Sequence, residues 1–191
     1  MNITQYETIG ISYGQYLENE RLLIAVESDF EYKNFHVLNF KRIERIDKQL
    51  KVKKVNCKIE TKQNSKIKLL AITEGWCGDA AQILPIIAYF QEKNSNQVSL
   101  KIIYRDKNLE LMHNFLTNGG MAIPIILICD EKNEVLSYFG PRPKAAQLLM
   151  HSLKEQGAEK EIIVLELQKW YNKDKGQSIL KEMIDQINLH F

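Results

Sequence analysis

The stretch Thr73-Glu74-Gly75-Trp76-Cys77-Gly78-Asp79-Ala80-Ala81-Gln82-Ile83-Leu84-Pro85 decides how the chain is read. It follows an apolar run, Ile67-Lys68-Leu69-Leu70-Ala71-Ile72, with the length and composition of a buried strand. It opens a helix-like segment from about residue 79 to 92, with Ala80, Leu84, Ile87 and Ala88 available for the buried face. Cys77 is therefore delivered where a strand ends and a helix begins. Free backbone N–H groups and the helix dipole meet there, and both favour negative charge on sulfur. The expectation is a thiol pKa below the free value of about 8.5. Asp79, two residues on, acts in the opposite direction. Pro85 interrupts one helical hydrogen bond and predicts a kink.

The pattern downstream of this stretch is regular. Val98 to Tyr104 reads as a second strand. Leu109, Met112, Phe115 and Leu116 predict a helix that stops at Asn118-Gly119-Gly120. Pro124 to Cys129 and Val135 to Phe139 read as two further strands, joined by the polar connection Asp130 to Glu134. The break Gly140-Pro141-Arg142-Pro143 precedes a helix through about Gln156. The order from residue 67 is β-α-β-α-β-β-α. Crossover helices make the first pair of strands parallel, and the hairpin makes the last pair antiparallel.

These features together resemble the thioredoxin superfamily. The likeness rests on Trp76-Cys77-Gly78 after a strand, Pro85 in the helix, Ile123-Pro124 opening a strand and Gly140 ending a hairpin. The stretches from Thr73 to Gln82, Gly140 to Pro143 and Trp170 to Gln177 are similar to those of a bacterial group of thioredoxin-family proteins. The resemblance covers about residues 67–156. It implies an α/β, thioredoxin-like three-layer sandwich with a mixed central sheet, to which helices are added at both ends. It also implies that Pro124 is cis and stands against Cys77. The first strand and helix of the family fall on residues around 40–62.

Two departures limit what the resemblance implies. The family's C-x-x-C motif needs a second cysteine at position 80, and this chain has Ala80. Thioredoxins also carry a buried acid six residues before the first cysteine, where this chain has Ala71. Dithiol reduction within the motif is therefore excluded, while exchange through one thiol remains open, because a second thiol from solution can finish the reaction. The leading expectation is monothiol, glutaredoxin-like exchange through Cys77 as the catalytic residue. Trp76, Gly78, Asp79, Ile123, Pro124, Arg105 and Arg142 are the candidate substrate-binding residues. Arg105 and Arg142 are placed to offset Asp79 or to hold the carboxylates of a small thiol. The bland alternative pairs Arg105 with Asp106 and leaves Arg142 solvated. No bound cofactor is expected, beyond a low-molecular-weight thiol such as glutathione as co-substrate. The expected partner is a thiol- or disulfide-containing small molecule or protein. The competing reading is a non-catalytic binding or adaptor protein whose groove between Trp76-Cys77 and Pro124 holds an extended peptide. Peroxide reduction is disfavoured, since no proline precedes Cys77 in the spacing that peroxidases of this superfamily use.

The flanks read as helical. The expected division is a helical extension over 1–50, the thioredoxin-like domain over 51–156 and a helical extension over 157–191. Ser12 with Gln15 forms a candidate capping box for a helix to about Val26, and Asn34 a candidate N-cap for a second. In that second helix Phe40, Ile43, Ile46 and Leu50 share a face, with Lys41, Arg42, Glu44, Arg45, Asp47 and Lys48 largely off it. Val52, Val55, Cys57 and Ile59 nearly alternate, which fits a strand or an extension of that helix, and Thr61 to Ser65 reads as a loop. Ile179, Met183 and Ile187 mark the face of a last helix.

Bulk properties bound the remaining classes. A net charge of +2 over 191 residues gives no reason to expect a nucleic-acid partner. No apolar run has the length of a membrane span, and no secretory leader is visible at Met1 to Gly14, so the expected location is cytoplasmic. Cys57, Cys77 and Cys129 are odd in number and far apart, against a disulfide framework and in keeping with a reducing compartment. No Cys or His pair has metal-ligand spacing.

Overall fold

A computed structural model describes residues 1–52, 56–59 and 65–191. Its centre is a four-stranded mixed sheet in the order β2-β1-β3-β4. Strand β1 (Ile67–Thr73) runs parallel to β2 (Val98–Tyr104) and antiparallel to β3 (Ile125–Cys129), which pairs antiparallel with β4 (Val135–Phe139). The apolar runs of β1 and β3 are buried almost throughout, so both faces of the sheet centre are covered. Edge strand β4 alternates between half-buried and exposed positions before Phe139. This is the thioredoxin-like architecture, with extra helices.

Among the described residues no strand precedes β1, which corrects the sequence reading. Residues 40–52 belong to a long helix, α3 (Phe30–Val52), and residues 56–59 form no strand. Residues 53–55 and 60–64, on which Val55 and most of the expected Thr61–Ser65 loop fall, lie outside the described residues. The outer edge of β2 is met instead by the chain between two earlier helices, α1 (Thr4–Ile9) and α2 (Tyr13–Val26). Ile11 exchanges two backbone hydrogen bonds with Ile102, at 2.9 and 2.8 Å. One residue thus blunts an edge that would otherwise offer free backbone groups.

Local chemistry explains the helix boundaries. The Ser12–Gln15 capping box opens α2. Helix α3 begins four residues before Asn34: the Asp29 side chain accepts the Tyr32 N–H at 2.8 Å and caps it. Starting there puts His36 and Asn39 on the same buried stripe as Ile43, Ile46 and Leu50. Helix α4 (Ala80–Lys93) is buried on almost every side, with Pro85 inside it. Helix α5 spans only Leu109–Met112, and further on Asn118 and Gly119, both at positive φ, form a tight two-residue turn between Thr117 and Gly120. What reads as a helix stop is a hairpin turn.

Helix α6 (Lys144–Glu155) is capped from a distance, where Glu182 accepts the Lys144 N–H at 2.9 Å. Helices α7 (Lys160–Asp174) and α8 (Gln177–His190) are joined through left-handed Lys175 and Gly176. Ile3, Tyr16, Ile43, Met183 and Ile187 share one buried cluster with the sheet and α4. The flanking helices therefore complete the core. No helix among the described residues is long and apolar enough to cross a membrane.

Candidate active site

Cys77 lies in the turn between β1 and α4. Its N–H donates to Glu74 O at 3.2 Å, its C=O accepts from Ala81, and its Sγ accepts the Ala80 N–H at 3.5 Å. The thiol donates to Ile123 O at 3.3 Å. The Ile123–Pro124 bond is cis and both residues are buried. Gly140, with φ of +130°, packs so closely on Pro124 O that a β-carbon there would overlap it. The three segments that carry the resemblance, around Cys77, Pro124 and Gly140, therefore meet at one end of the strands.

The electrostatics of Cys77 differ from the sequence expectation. The residue is 8% exposed, and burial is the largest influence on its thiol, followed by the charge of Asp79. Together they push its pKa up to about 12, against hydrogen bonds from the Ala80 and Asp79 backbone and the charge of Arg142. The helix N-terminus acts as expected, but desolvation outweighs it. The resting thiol is protonated at neutral pH.

The two predicted arginines are both engaged. Arg142 forms a two-point pair with Asp79, Nε to Oδ1 at 2.9 Å and Nη2 to Oδ2 at 2.5 Å, and the Tyr171 hydroxyl donates to the same carboxylate at 2.8 Å. Asp79 is thus paired and hydrogen-bonded where it lines the turn, and Arg142 is paired rather than solvated. Arg105 pairs with Asp106, donates to Met121 O at 3.0 Å and lies 4.8 Å from the Trp76 ring centre. Trp76 is held in place at the floor by this contact. Glu74 accepts the Asp106 N–H at 2.8 Å, a structural task, while Ala71 is fully buried.

Helix α3 supplies residues that sequence reading did not assign to the site. Asn39 donates to Gly75 O at 3.0 Å and accepts from Arg42 Nη1 at 2.9 Å. Arg42 Nη1 rests above Gly78, 3.3 Å from where a β-carbon would stand. Behind the turn, buried His36 Nδ1 donates to Glu20 at 2.6 Å, and the Tyr104 hydroxyl approaches the same carboxylate at 3.4 Å. Gly75 packs directly on that carboxylate, leaving no room for a side chain. A signal was present: His36 and Asn39 interrupt an apolar stripe at helical spacing, and polar groups buried on such a stripe need specific partners. Arg42 carried no such signal.

The other two thiols cannot resolve a disulfide at Cys77. Cys129 pairs with Lys68 at the far end of β1, roughly 17 Å along the strand from Thr73. The Cys57 carbonyl accepts from Asn94, which ends α4, a helix of 14 residues and therefore about 21 Å long. Above Cys77 opens a cleft of about 600 Å³ between α3, the active turn, the 121–123 segment and α7.

A family model described as thioredoxin matches residues 27–156. The chain belongs to the thioredoxin family. The match includes α3, so the thioredoxin-family segment extends to the helix whose Asn39 and Arg42 rest on the active turn. A protein of unknown function from Pseudomonas aeruginosa, 17% identical, aligns with a TM-score of 0.65 over 94% of this chain and 93% of its own. An HIV epitope scaffold, 19% identical, aligns with a TM-score of 0.57 over 95% of this chain and all of its own. At these identities the likeness concerns the fold alone. No curated protein matches the chain.

Proposed function

We propose that this thioredoxin-family protein carries out monothiol thiol–disulfide exchange through Cys77, on a disulfide held in the cleft. The observation that supports this is the seat of the thiol. Cys77 lines the cleft at the N-terminus of a 14-residue helix, faces the Ile123 carbonyl and has no second cysteine within reach. In the step, Cys77 sulfur attacks a substrate disulfide. A Cys77–substrate disulfide forms, the substrate's S–S bond breaks, and the thiol proton ends on the departing thiol. A second thiol such as glutathione then attacks the adduct, restores Cys77 and carries away the bound half as a new disulfide. The partner is a thiol- or disulfide-containing small molecule or protein, in a reducing compartment such as the cytoplasm.

A second reading is a non-catalytic binding protein of the same fold, and one observation favours it. A thiol pushed up to about 12 is a weak nucleophile at neutral pH. The two readings separate in a protein with Cys57 and Cys129 replaced by serine, exposed to glutathione disulfide and followed by intact mass. Below its pKa the thiolate fraction rises about tenfold per pH unit, so exchange predicts an adduct on Cys77 whose rate climbs in that proportion from pH 7 to 10. Absence of adduct at pH 10, with the fold intact, would replace exchange by the binding reading.

A further inference from the structure

The cleft above Cys77 combines two properties. Its walls are apolar, from Tyr32, Phe35 and Leu38 on α3 and Val164 on α7, with Trp76 at the floor. Phe35 and Leu38 are about half exposed, at 49% and 48%, although each has a place in a concave surface. Its charge is also one-sided. Arg42, Arg105, Arg142 and Lys160 line it against one carboxylate, Asp79.

The four cations are not equivalent. Arg142 is neutralised by Asp79 and Arg105 by Asp106. Lys160 is exposed at the start of α7. Arg42 is half-buried, always charged, and has no carboxylate partner among the described residues. Among the described residues its hydrogen bond is to Asn39, which holds it above Gly78 with further N–H groups to spare. Burial, then the neighbouring Arg45, destabilises its charge, and the Asp79 carboxylate offsets only part of this, so an anion beside it would be stabilising. The cleft volume of about 600 Å³ suits a small molecule rather than a folded partner.

We propose that the cleft binds a small amphipathic carboxylate, with its anionic end on Arg42 and its apolar body between α3 and α7. This rests on the exchange reading only for its consequence: the preferred disulfide then carries a carboxylate near its sulfur and an apolar body beyond. Arg42, not Arg105 or Arg142, selects it.

The test uses decanoate, decanol and decylamine as probes, followed by calorimetry at pH 7.5 with the full-length chain. Decanoate binds at least tenfold more tightly than decylamine. Arg42→Gln weakens decanoate about tenfold and leaves decanol unchanged, whereas Arg42→Lys retains most of the preference. Phe35→Ser weakens decanoate and decanol alike. Thermal melting of each variant confirms that it is folded. Equal binding of decanoate by wild type and Arg42→Gln, or no binding by wild type, overturns the proposal. If decanoate binds through Arg42 while glutathione disulfide gives no adduct, the exchange reading fails and this one stands. If exchange proceeds but decanoate ignores Arg42, only this one fails.

Discussion

The floor of the cleft and its outer wall are built on opposite principles. At the floor, Glu74, Cys77, Asp79, Arg105 and Arg142 each have named partners, and Gly75 and Gly140 are packed until no methyl group fits. On the outer wall, Tyr32, Phe35, Leu38 and Val164 leave apolar surface in water, and Arg42 forms no ion pair among the described residues. The difference separates two tasks. The floor spends its interactions on holding Cys77 in one geometry, so little there is free to contact a ligand. The wall contributes less to the fold and keeps its apolar area and charge available.

Substitutions that break the floor carry the largest expected effects. Gly140→Ala forces a β-carbon into Pro124 O at a positive φ, and strain plus overpacking should destabilise the protein by about 2–4 kcal/mol in urea unfolding. A loss below about 1 kcal/mol would show that the floor yields more easily than its packing implies. Gly75→Ala drives a methyl group against the Glu20 carboxylate beneath the turn. Its expected loss is about 1–3 kcal/mol, with faster alkylation of Cys77 as the turn loosens. Unchanged alkylation would separate the Glu20–His36 pair from the placement of the thiol.

A third substitution sharpens the comparison at the chemistry itself. Ala80 is fully buried and its N–H already faces Cys77 Sγ. Ala80→Cys should recreate a dithiol and raise reduction of a model disulfide about tenfold over wild type, the gain being held down by the absence of an acid at Ala71. Equal inertness of wild type and variant, with or without glutathione, would count against redox chemistry at this turn. The smallest effect on stability belongs to the wall. Leu38→Ser, at a half-exposed position, should change unfolding free energy by less than about 0.5 kcal/mol while weakening decanoate binding several-fold. A stability loss like that at Gly75 would make the wall part of the core and dissolve the distinction.

Much of the floor was legible in the chain because its signals are local. A cysteine after an apolar strand, a proline opening the next strand and a glycine ending a hairpin act through backbone geometry within a few residues. The strands 67–73, 98–104, 125–129 and 135–139 followed from apolar runs of matching length. Asn118-Gly119 misled because one dipeptide serves both as a helix stop and as a hairpin turn, and the choice depends on which carbonyls lie nearby. Residues around 40–62 misled because near-alternation over a short segment does not distinguish a strand from a helix and its exit.

By itself the sequence determined the order of the thioredoxin-like core, the site of Cys77 and the absence of a resolving thiol at position 80. Only tertiary structure decided the state of that thiol, because burial depends on everything packed around Cys77, and here desolvation outweighs the helix N-terminus. It also decided which of the cleft arginines forms no ion pair among the described residues. Asp79 and Arg142 are 63 residues apart, and Arg42 reaches the active turn from a helix that ends before β1 begins. Neutralisation of a charge is a property of distance in space, which helix periodicity and residue type do not contain.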